Sequence, residues 1–237
     1  MNRTNNRIIE RLKELADPDT SRQSMRFFKT GKGEYGEGDQ FIGVRVPVIR
    51  GCVKEFRDTS LNDNQELLSS PIHEARLLAL LLMVAKYKKS VSDVERREIY
   101  RVYLSNTRYI NNWDLVDVTA EHIVGAYLFD RSRKPLFRLI NSKSLWERRI
   151  AVLATFYFIR RNDFCDTLSL AELLLDDKED LMHKAVGWML REVGNRNHDI
   201  EREFLLKHYQ KMPRTMLRYA IEKFPERERL SFLHGNV

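Results

Sequence analysis

Apolar residues recur along most of the chain at intervals of three and four positions. This spacing is typical of helices that bury one face and expose the other. The clearest helical patterns cover residues 6–16, 65–88, 94–104, 113–128, 145–161, 179–194, 199–210 and 213–223. Shorter helices are predicted over residues 20–29, 46–57, 134–141, 167–176 and 226–233. No segment alternates like a β-strand, so the pattern predicts an all-α fold.

The connections between the predicted helices are short and polar, which favours antiparallel neighbouring helices. Pairs of such helices are typical of an α-solenoid of HEAT-like repeats, and we expect residues 1–237 to form a single domain of this kind. The tryptophans at positions 113, 146 and 188 are separated by 33 and 42 residues, so the repeats are irregular. A compact helical bundle is the alternative architecture.

Residues 29–43 form a glycine-rich loop that contains five of the ten glycines in the chain. The loop includes a GxGxxG sequence at Gly31, Gly33 and Gly36. A dinucleotide-binding motif of this type requires a strand before it and a helix directly after it. Because a helical pattern precedes the loop, we interpret it as a flexible loop that carries Phe41 and Arg45 to the end of the solenoid.

Positive charge is concentrated in one part of the chain. The formal net charge is +7 and the sequence pI is about 9.4. Residues 131–161 contain nine Lys or Arg and one acid, Glu147, so this segment alone carries +8. Localised positive charge on adjoining helices favours contact with a phosphate backbone, and nucleic acid is the expected partner.

Several classes of protein find no support in the sequence. The beginning of the chain is polar and charged, unlike a signal peptide, and the apolar run at residues 77–85 is too short to span a bilayer. Cys52 and Cys165 form no CxxC motif, so we expect a reduced, cytoplasmic protein. The six histidines are scattered without ligand spacing, and no metal is assigned.

Two short stretches place aromatic and charged side chains together. In NNWDLVD, residues 111–117, the i, i+4 spacing puts Trp113 and Asp117 on one helix face. In a second predicted helix, Lys184, Trp188 and Arg191 share one stripe. An aromatic flanked by cations is typical of surfaces that contact sugar and phosphate, although Trp188 as an ordinary core residue is the alternative.

Five segments occurring in order resemble the AlkD family of bacterial DNA alkylation-repair glycosylases. They are FIGVRVPVIR, NNWDLVD, LWERRIAVL, HKAVGWMLREVG and MPRTMLRYAIEKFPERER, and the likeness covers roughly residues 20–235. The resemblance implies a HEAT-like solenoid whose concave basic face grips duplex DNA. It also implies base excision repair without a cofactor: hydrolysis of the N-glycosidic bond of cationic purines of the 3-methyladenine and 7-methylguanine type. The lesion is expected to stay stacked or partly exposed, outside any enclosing pocket.

The resemblance also implies roles for individual residues. Asp117 matches the catalytic aspartate, Trp113 and Trp188 match the two aromatic walls, and Arg149 matches the arginine that grips DNA at the site. Further expected DNA contacts are Arg148, adjacent to Arg149, and Arg45, Lys184 and Arg191. Arg45 stands where some members carry a neutral amide, so contacts to the strand opposite the lesion are expected to differ.

The expected chemistry needs a fixed carboxylate and no general acid. A purine alkylated at N3 or N7 is already cationic and leaves without protonation, while positive charge develops on the sugar, where a carboxylate stabilises it. In the first turn after Asn112, Asp114 is interpreted as an acid that offsets the helix dipole.

Two other functions are alternatives to a glycosylase. The first is a HEAT-like DNA-binding protein without excision activity, and the second is a scaffold for acidic proteins. We expect a monomer acting on double-stranded DNA with alkylated purines.

Overall fold

The computed structural model describes residues 2–237. Within this range the regular secondary structure is helical, apart from one isolated bridge between Gln40 and Ile72. This confirms the all-α fold. The chain packs into two compact units, residues 1–123 and 124–237. The prediction of a single domain stays a prediction. No helix among the described residues is long and apolar enough to cross a membrane.

The first unit is arranged around one buried helix, α5. The side chains of α5 are buried from His73 through Leu80, and the helix packs against α3, α4, α6 and α7. The helices of this unit are α1 (Arg3–Glu14), α2 (Pro18–Phe27), α3 (Val46–Glu55), α4 (Leu61–Leu68), α5 (His73–Lys89), α6 (Asp93–Ser105) and α7 (Trp113–Asp117), with a 3-10 turn at Thr107–Tyr109.

The predicted helix over residues 65–88 is two helices in the structure, α4 and α5, separated by a break at residues 69–72. Pro71 accounts for the break, because proline has no amide hydrogen to donate and disfavours helical geometry at the residue before it. The prediction of a continuous helix was therefore wrong at this point.

The second unit is arranged around α13, which packs against α10, α12, α14 and α15. Its helices are α8 (Ala126–Leu128), α9 (Lys134–Leu139), α10 (Leu145–Ala154), α11 (Phe156–Ile159), α12 (Cys165–Leu173), α13 (Asp180–Gly194), α14 (His198–His208), α15 (Arg214–Ala220) and α16 (Glu226–His234), with a 3-10 turn at Ile221–Lys223.

Gly187 lies at a close contact between α13 and α15. A Cβ atom at this position would lie 2.6 Å from the Cβ of Tyr219 and would also overlap the carbonyl oxygen of Met216. Glycine is unfavourable in a helix interior, so its presence here is explained by the contact between the two helices. This contact orients α13, which carries Trp188.

The predicted helix over residues 113–128 is interrupted in a way that isolates α7. The α-helix ends at Asp117, and a turn leads into a π-helix at Glu121–Gly125. In the turn, the hydroxyl of Thr119 lies 2.9 Å from the phenol oxygen of Tyr103. π-helical turns are rare in proteins overall, but those that do occur are often found at functional sites. They change the helical register, so α7 is a separate short element that must be oriented by its neighbours.

Candidate active site

Helix α7 presents Trp113 and Asp117 on the same side. Asn112 caps the helix, since its side-chain oxygen accepts a hydrogen bond from the Trp113 amide at 2.9 Å. The intervening residues 114–116 are buried, whereas Trp113 and Asp117 are both partly exposed. The structure therefore brings these two predicted site residues together, as their i, i+4 spacing indicates.

The indole of Trp113 is held by aromatic neighbours from the preceding part of the first unit. It stacks on Phe28, with ring centroids 5.2 Å apart and planes 23° from parallel. Phe27 meets it edge-on at 5.8 Å, and its Nε1 donates a hydrogen bond to the Tyr35 hydroxyl at 3.3 Å. One face of the indole is thus covered, and the orientation of the ring is set by packing.

The carboxylate of Asp117 lies near the buried phenol of Tyr103. Burial raises the pKa of Tyr103, and the negative charge of Asp117 adds to this rise. Tyr103 therefore stays neutral beside the carboxylate.

A buried charge network lies beneath α7. His73, at the start of α5, is within hydrogen-bond distance of Asp39 through Nδ1 (2.9 Å) and of Asp114 through Nε2 (2.8 Å). Asp39 also accepts hydrogen bonds from Arg76 and from the amides of Asn111 and Asn112. Asp114 therefore has a buried ionic partner in addition to its place in the first turn, where sequence reasoning assigned it only to the helix dipole.

The two arginines of α10 are held by hydrogen bonds within the second unit. Arg149 is buried and donates to the carbonyl oxygen of Leu181, which ties α10 to the start of α13. Arg148 pairs with Asp177, its Nε 2.7 Å from one carboxylate oxygen, and also donates to the carbonyls of Ser142 and Lys143. Their assignment as DNA contacts stays a prediction.

The predicted stripe on α13 is present, and its polar groups have carboxylate neighbours. Lys184 pairs with Asp180 at 2.8 Å, and Arg191 pairs with Glu222. The Nε1 of Trp188 donates to Glu192 at 3.0 Å, and its ring meets Phe156 edge-on at 5.9 Å. Trp188 is partly exposed, and its role as a wall of the site stays a prediction.

Much of the positive charge between residues 131 and 161 is placed over aromatic rings. The guanidinium of Arg133 lies 4.1 Å from the Phe158 ring centroid and also pairs with Asp163 and Asp166. Three further arginines lie over rings: Arg131 over Tyr127 at 4.3 Å, Arg160 over Phe156 at 4.3 Å and Arg161 over Tyr157 at 3.4 Å. Acids outside the segment therefore offset part of its +8 charge.

The glycine-rich loop binds carboxylates of this chain through its backbone. Glu34 accepts a hydrogen bond from the Gly31 amide, and Glu37 accepts one from the Gly33 amide, each at 2.8 Å. Phe41 is buried and stacks on both Phe28 and His73, whereas Arg45 is exposed at the start of α3. The two residues that the loop was expected to deliver thus have different environments.

Comparisons with known proteins identify the family and the fold of this chain. A family model described as DNA alkylation repair enzyme matches residues 8–224. The chain belongs to the DNA alkylation repair enzyme family. A solved structure described as a predicted DNA alkylation repair enzyme from Enterococcus faecalis shares its fold, with a TM-score of 0.69 at 15% identity. The similarity covers 89% of this chain and 97% of that one. No curated relative matches the sequence significantly.

In this DNA alkylation repair family member, buried charged residues lie beside α7 that the sequence did not single out. The histidines served only to argue against a metal site, yet His73 joins two carboxylates in the interior. The signal was present in HEARLLALLLM, residues 73–83, where three polar side chains open an otherwise apolar helix. Within the described range 2–237, no group of three or more His, Cys, Asp or Glu side chains could hold a metal ion.

Proposed function

We propose that this protein is a DNA glycosylase that hydrolyses the N-glycosidic bond of cationic alkylated purines in duplex DNA. The substrates are lesions of the 3-methyladenine and 7-methylguanine type. The observation that carries the proposal is the shared exposed side of Trp113 and Asp117 on α7, in a chain of the DNA alkylation repair family. A binding protein gains little from a carboxylate that faces phosphates, whereas the departure of a cationic base from its sugar is assisted by one.

Asp117 stabilises the positive charge that grows on the deoxyribose as the bond to the base breaks. Opposite unit charges about 4 Å apart attract by roughly 4 kcal/mol at an effective dielectric constant of about 20. If the transition state alone gained this energy, the rate would increase by about 10³. The substrate is already cationic and feels part of the attraction, so the true effect is smaller than this limit.

Trp113 and Trp188 supply faces for the cationic sugar in the proposed complex. A cation over an indole face gains about 0.5–2 kcal/mol, less than the carboxylate supplies. Stacking on Phe28 supports this role for Trp113, because the packed ring loses little further freedom when substrate binds. Arg149, Arg148, Arg45, Lys184 and Arg191 are the proposed contacts to the phosphate backbone.

The test measures release of 7-methylguanine from a duplex with a single lesion, under single-turnover conditions, for the wild type and Asp117→Asn. We expect the substitution to lower the excision rate by up to about 10³-fold and to leave DNA affinity within about threefold. Asp176→Asn, an exposed acid in the second unit, is the matched control and should excise like the wild type.

Two outcomes would contradict the proposal. Wild-type protein that binds the duplex without generating abasic sites would identify a DNA-binding protein without excision activity. An Asp117→Asn variant with the wild-type rate would remove Asp117 from the catalytic role while leaving the glycosylase activity in place.

A further inference from the structure

The ring of His73 is held between two carboxylates in the interior of the first unit. His73 is 1% exposed, and each of its ring nitrogens lies within 3 Å of a carboxylate oxygen, one from Asp39 and one from Asp114. Ionised carboxylates only accept hydrogen bonds, so both ring nitrogens must donate. An imidazole that donates from both nitrogens is a cation, so this geometry with two ionised carboxylates favours an imidazolium.

The charges around the imidazolium balance within the network. Asp39 and Asp114 contribute two negative charges, and His73 and Arg76 contribute two positive charges. Glu74, the next residue on α5, turns its carboxylate toward the amides of residues 42–44. Burial opposes the charged ring, but the hydrogen bonds to Asp114 and Asp39 outweigh it and raise the pKa of His73. The direction of this shift agrees with the hydrogen-bond geometry, which favours the charged ring.

The network connects two other parts of the first unit to α7. Asp39 belongs to the glycine-rich loop, His73 and Arg76 belong to α5, and Asp114 lies in the first turn of α7. Phe41 stacks on the His73 ring at 4.3 Å, Phe28 stacks on Phe41 at 4.9 Å, and Trp113 stacks on Phe28 at 5.2 Å. The indole and the base of α7 are thus coupled to the same histidine by two routes, one ionic and one aromatic.

A five-residue helix cannot hold its own orientation, because so short a segment forms few internal hydrogen bonds. We propose that His73 is a positioning residue: as an imidazolium joining Asp39 to Asp114, it fixes α7 so that Trp113 and Asp117 face the substrate. This inference rests on the proposed function for its effect on catalysis, but the anchoring of α7 is measurable without any substrate.

The first test measures backbone hydrogen exchange in the full chain for the wild type and His73→Gln. A glutamine side chain can donate to only one of the two carboxylates, so α7 loses its anchor. We expect faster exchange in residues 113–117 and unchanged exchange in α13. His234→Gln, an exposed histidine in α16, is the matched control and should leave both regions unchanged. Unchanged exchange of α7 in His73→Gln would overturn the proposal whether or not the protein excises bases.

A second measurement tests the charge of the ring in the intact wild-type protein, so it does not depend on a variant folding. Spectra of protein with ¹⁵N-labelled histidine rings should show His73 mainly protonated on both nitrogens at pH 6.5, where an ordinary histidine is half-protonated. The His73 signals are assigned by through-bond correlations to its own backbone. A neutral ring with one protonated nitrogen would contradict the network described above.

The third measurement links the network to excision. The rate for His73→Gln should fall roughly 10- to 100-fold with DNA affinity retained, because a displacement of about 1 Å at the site costs about this much. As pH rises, the wild-type rate should fall when His73 loses its proton, and this fall should be absent in His73→Gln. Equal rates and equal pH profiles in the two proteins would refute a positioning role. Absence of excision by the wild type would refute only the proposed function. The hydrogen-exchange comparison would still decide whether His73 holds α7 in place.

Discussion

The carboxylate of Glu74 accepts a hydrogen bond from the backbone amide of Gly43 at 2.8 Å. The amides of Ile42 and Val44 point to the same carboxylate, at 3.1 and 3.3 Å. Gly43 adopts a positive φ of 90°, and a side chain there would overlap the carbonyl oxygen of Asp17. Three consecutive amides of this kind form an anion-binding concavity, which in this protein is filled by an internal carboxylate.

Glu74→Gln should loosen the junction between the glycine-rich loop and α5. The variant keeps the size of the side chain but replaces charge-assisted hydrogen bonds with weaker neutral ones, so we expect a loss of about 2 kcal/mol in unfolding free energy. Urea denaturation measures the change. Glu10→Gln, at an exposed position on α1, is the control. If both substitutions changed the unfolding free energy by the same small amount, the charge of Glu74 would not be needed to hold the amides of residues 42–44.

Gly187→Ala and Gly51→Ala form a matched pair of glycine substitutions in helices. At Gly187 the added methyl group meets α15, and we expect destabilisation by about 1–3 kcal/mol. At Gly51, in α3, nothing lies within 4 Å of the new Cβ, and alanine should stabilise by up to about 1 kcal/mol. The midpoint of thermal unfolding should therefore fall for Gly187→Ala and rise for Gly51→Ala. Shifts of the same sign in the two variants would contradict the close approach of α13 and α15.

Glu201 should make the protein less stable as pH rises. The side chain is 1% exposed, and burial raises its pKa from the ordinary 4.5 of a glutamate to about 9. Because the unfolded chain releases this proton at lower pH than the folded chain, the unfolding free energy falls between about pH 4.5 and about pH 9. Below this window both states hold the proton, and Glu201 contributes no pH dependence.

Glu201→Gln should remove this pH dependence and stabilise the protein at alkaline pH by on the order of a few kcal/mol, since the amide never ionises. Denaturation midpoints at pH 5, 7 and 9 measure the effect. Glu203→Gln, two residues along α14, removes only an exposed pair with Lys207 and should change stability by less than about 1 kcal/mol. If the denaturation midpoint of Glu201→Gln still fell with rising pH as in the wild type, the pH dependence would belong to other groups.

Arg149→Ala is expected to affect folding as well as DNA binding. The substitution removes a charged donor from the Leu181 carbonyl, so the unfolding free energy should fall by about 1–3 kcal/mol. Arg138→Ala, an exposed arginine in the same basic segment, should change it by no more than about 0.5 kcal/mol. DNA affinity is then measured under conditions in which both variants are folded, which separates the role of Arg149 in folding from its proposed role in DNA binding. An affinity loss no greater than that of Arg138→Ala would remove Arg149 from the proposed DNA contacts.

Trp188→Phe tests the contribution of an indole face to excision. The smaller ring keeps the aromatic contact with Phe156 but loses the hydrogen bond to Glu192 and part of the face offered to a cation. We expect the excision rate to fall by about 2- to 30-fold, the equivalent of 0.5–2 kcal/mol. Trp146→Phe, at the tryptophan that has no assigned role, provides the comparison, and equal losses in the two variants would point to a packing effect.

The periodicity of apolar residues was sufficient to predict the all-α fold, and the i, i+4 spacing was sufficient to place Trp113 and Asp117 on one side of α7. Both follow from local geometry, because the helical repeat determines which side chains share a face. The helix breaks at Pro71 and after Asp117 were missed. A helical pattern continues in the sequence through a short interruption, and the π-helix at Glu121–Gly125 depends on hydrogen bonds that residue types do not specify.

The tertiary structure alone decided which residues support α7. His73, Asp39 and Asp114 are separated by more than 30 positions in sequence, and only the packing of α5 against the glycine-rich loop and α7 brings their charges within hydrogen-bond distance. The same holds for Arg148 and Asp177, whose pairing offsets a charge that the sequence count assigned to a continuous basic segment. Ion pairs act over a few ångströms of space, so a linear sequence determines which charges exist and the fold determines which of them meet.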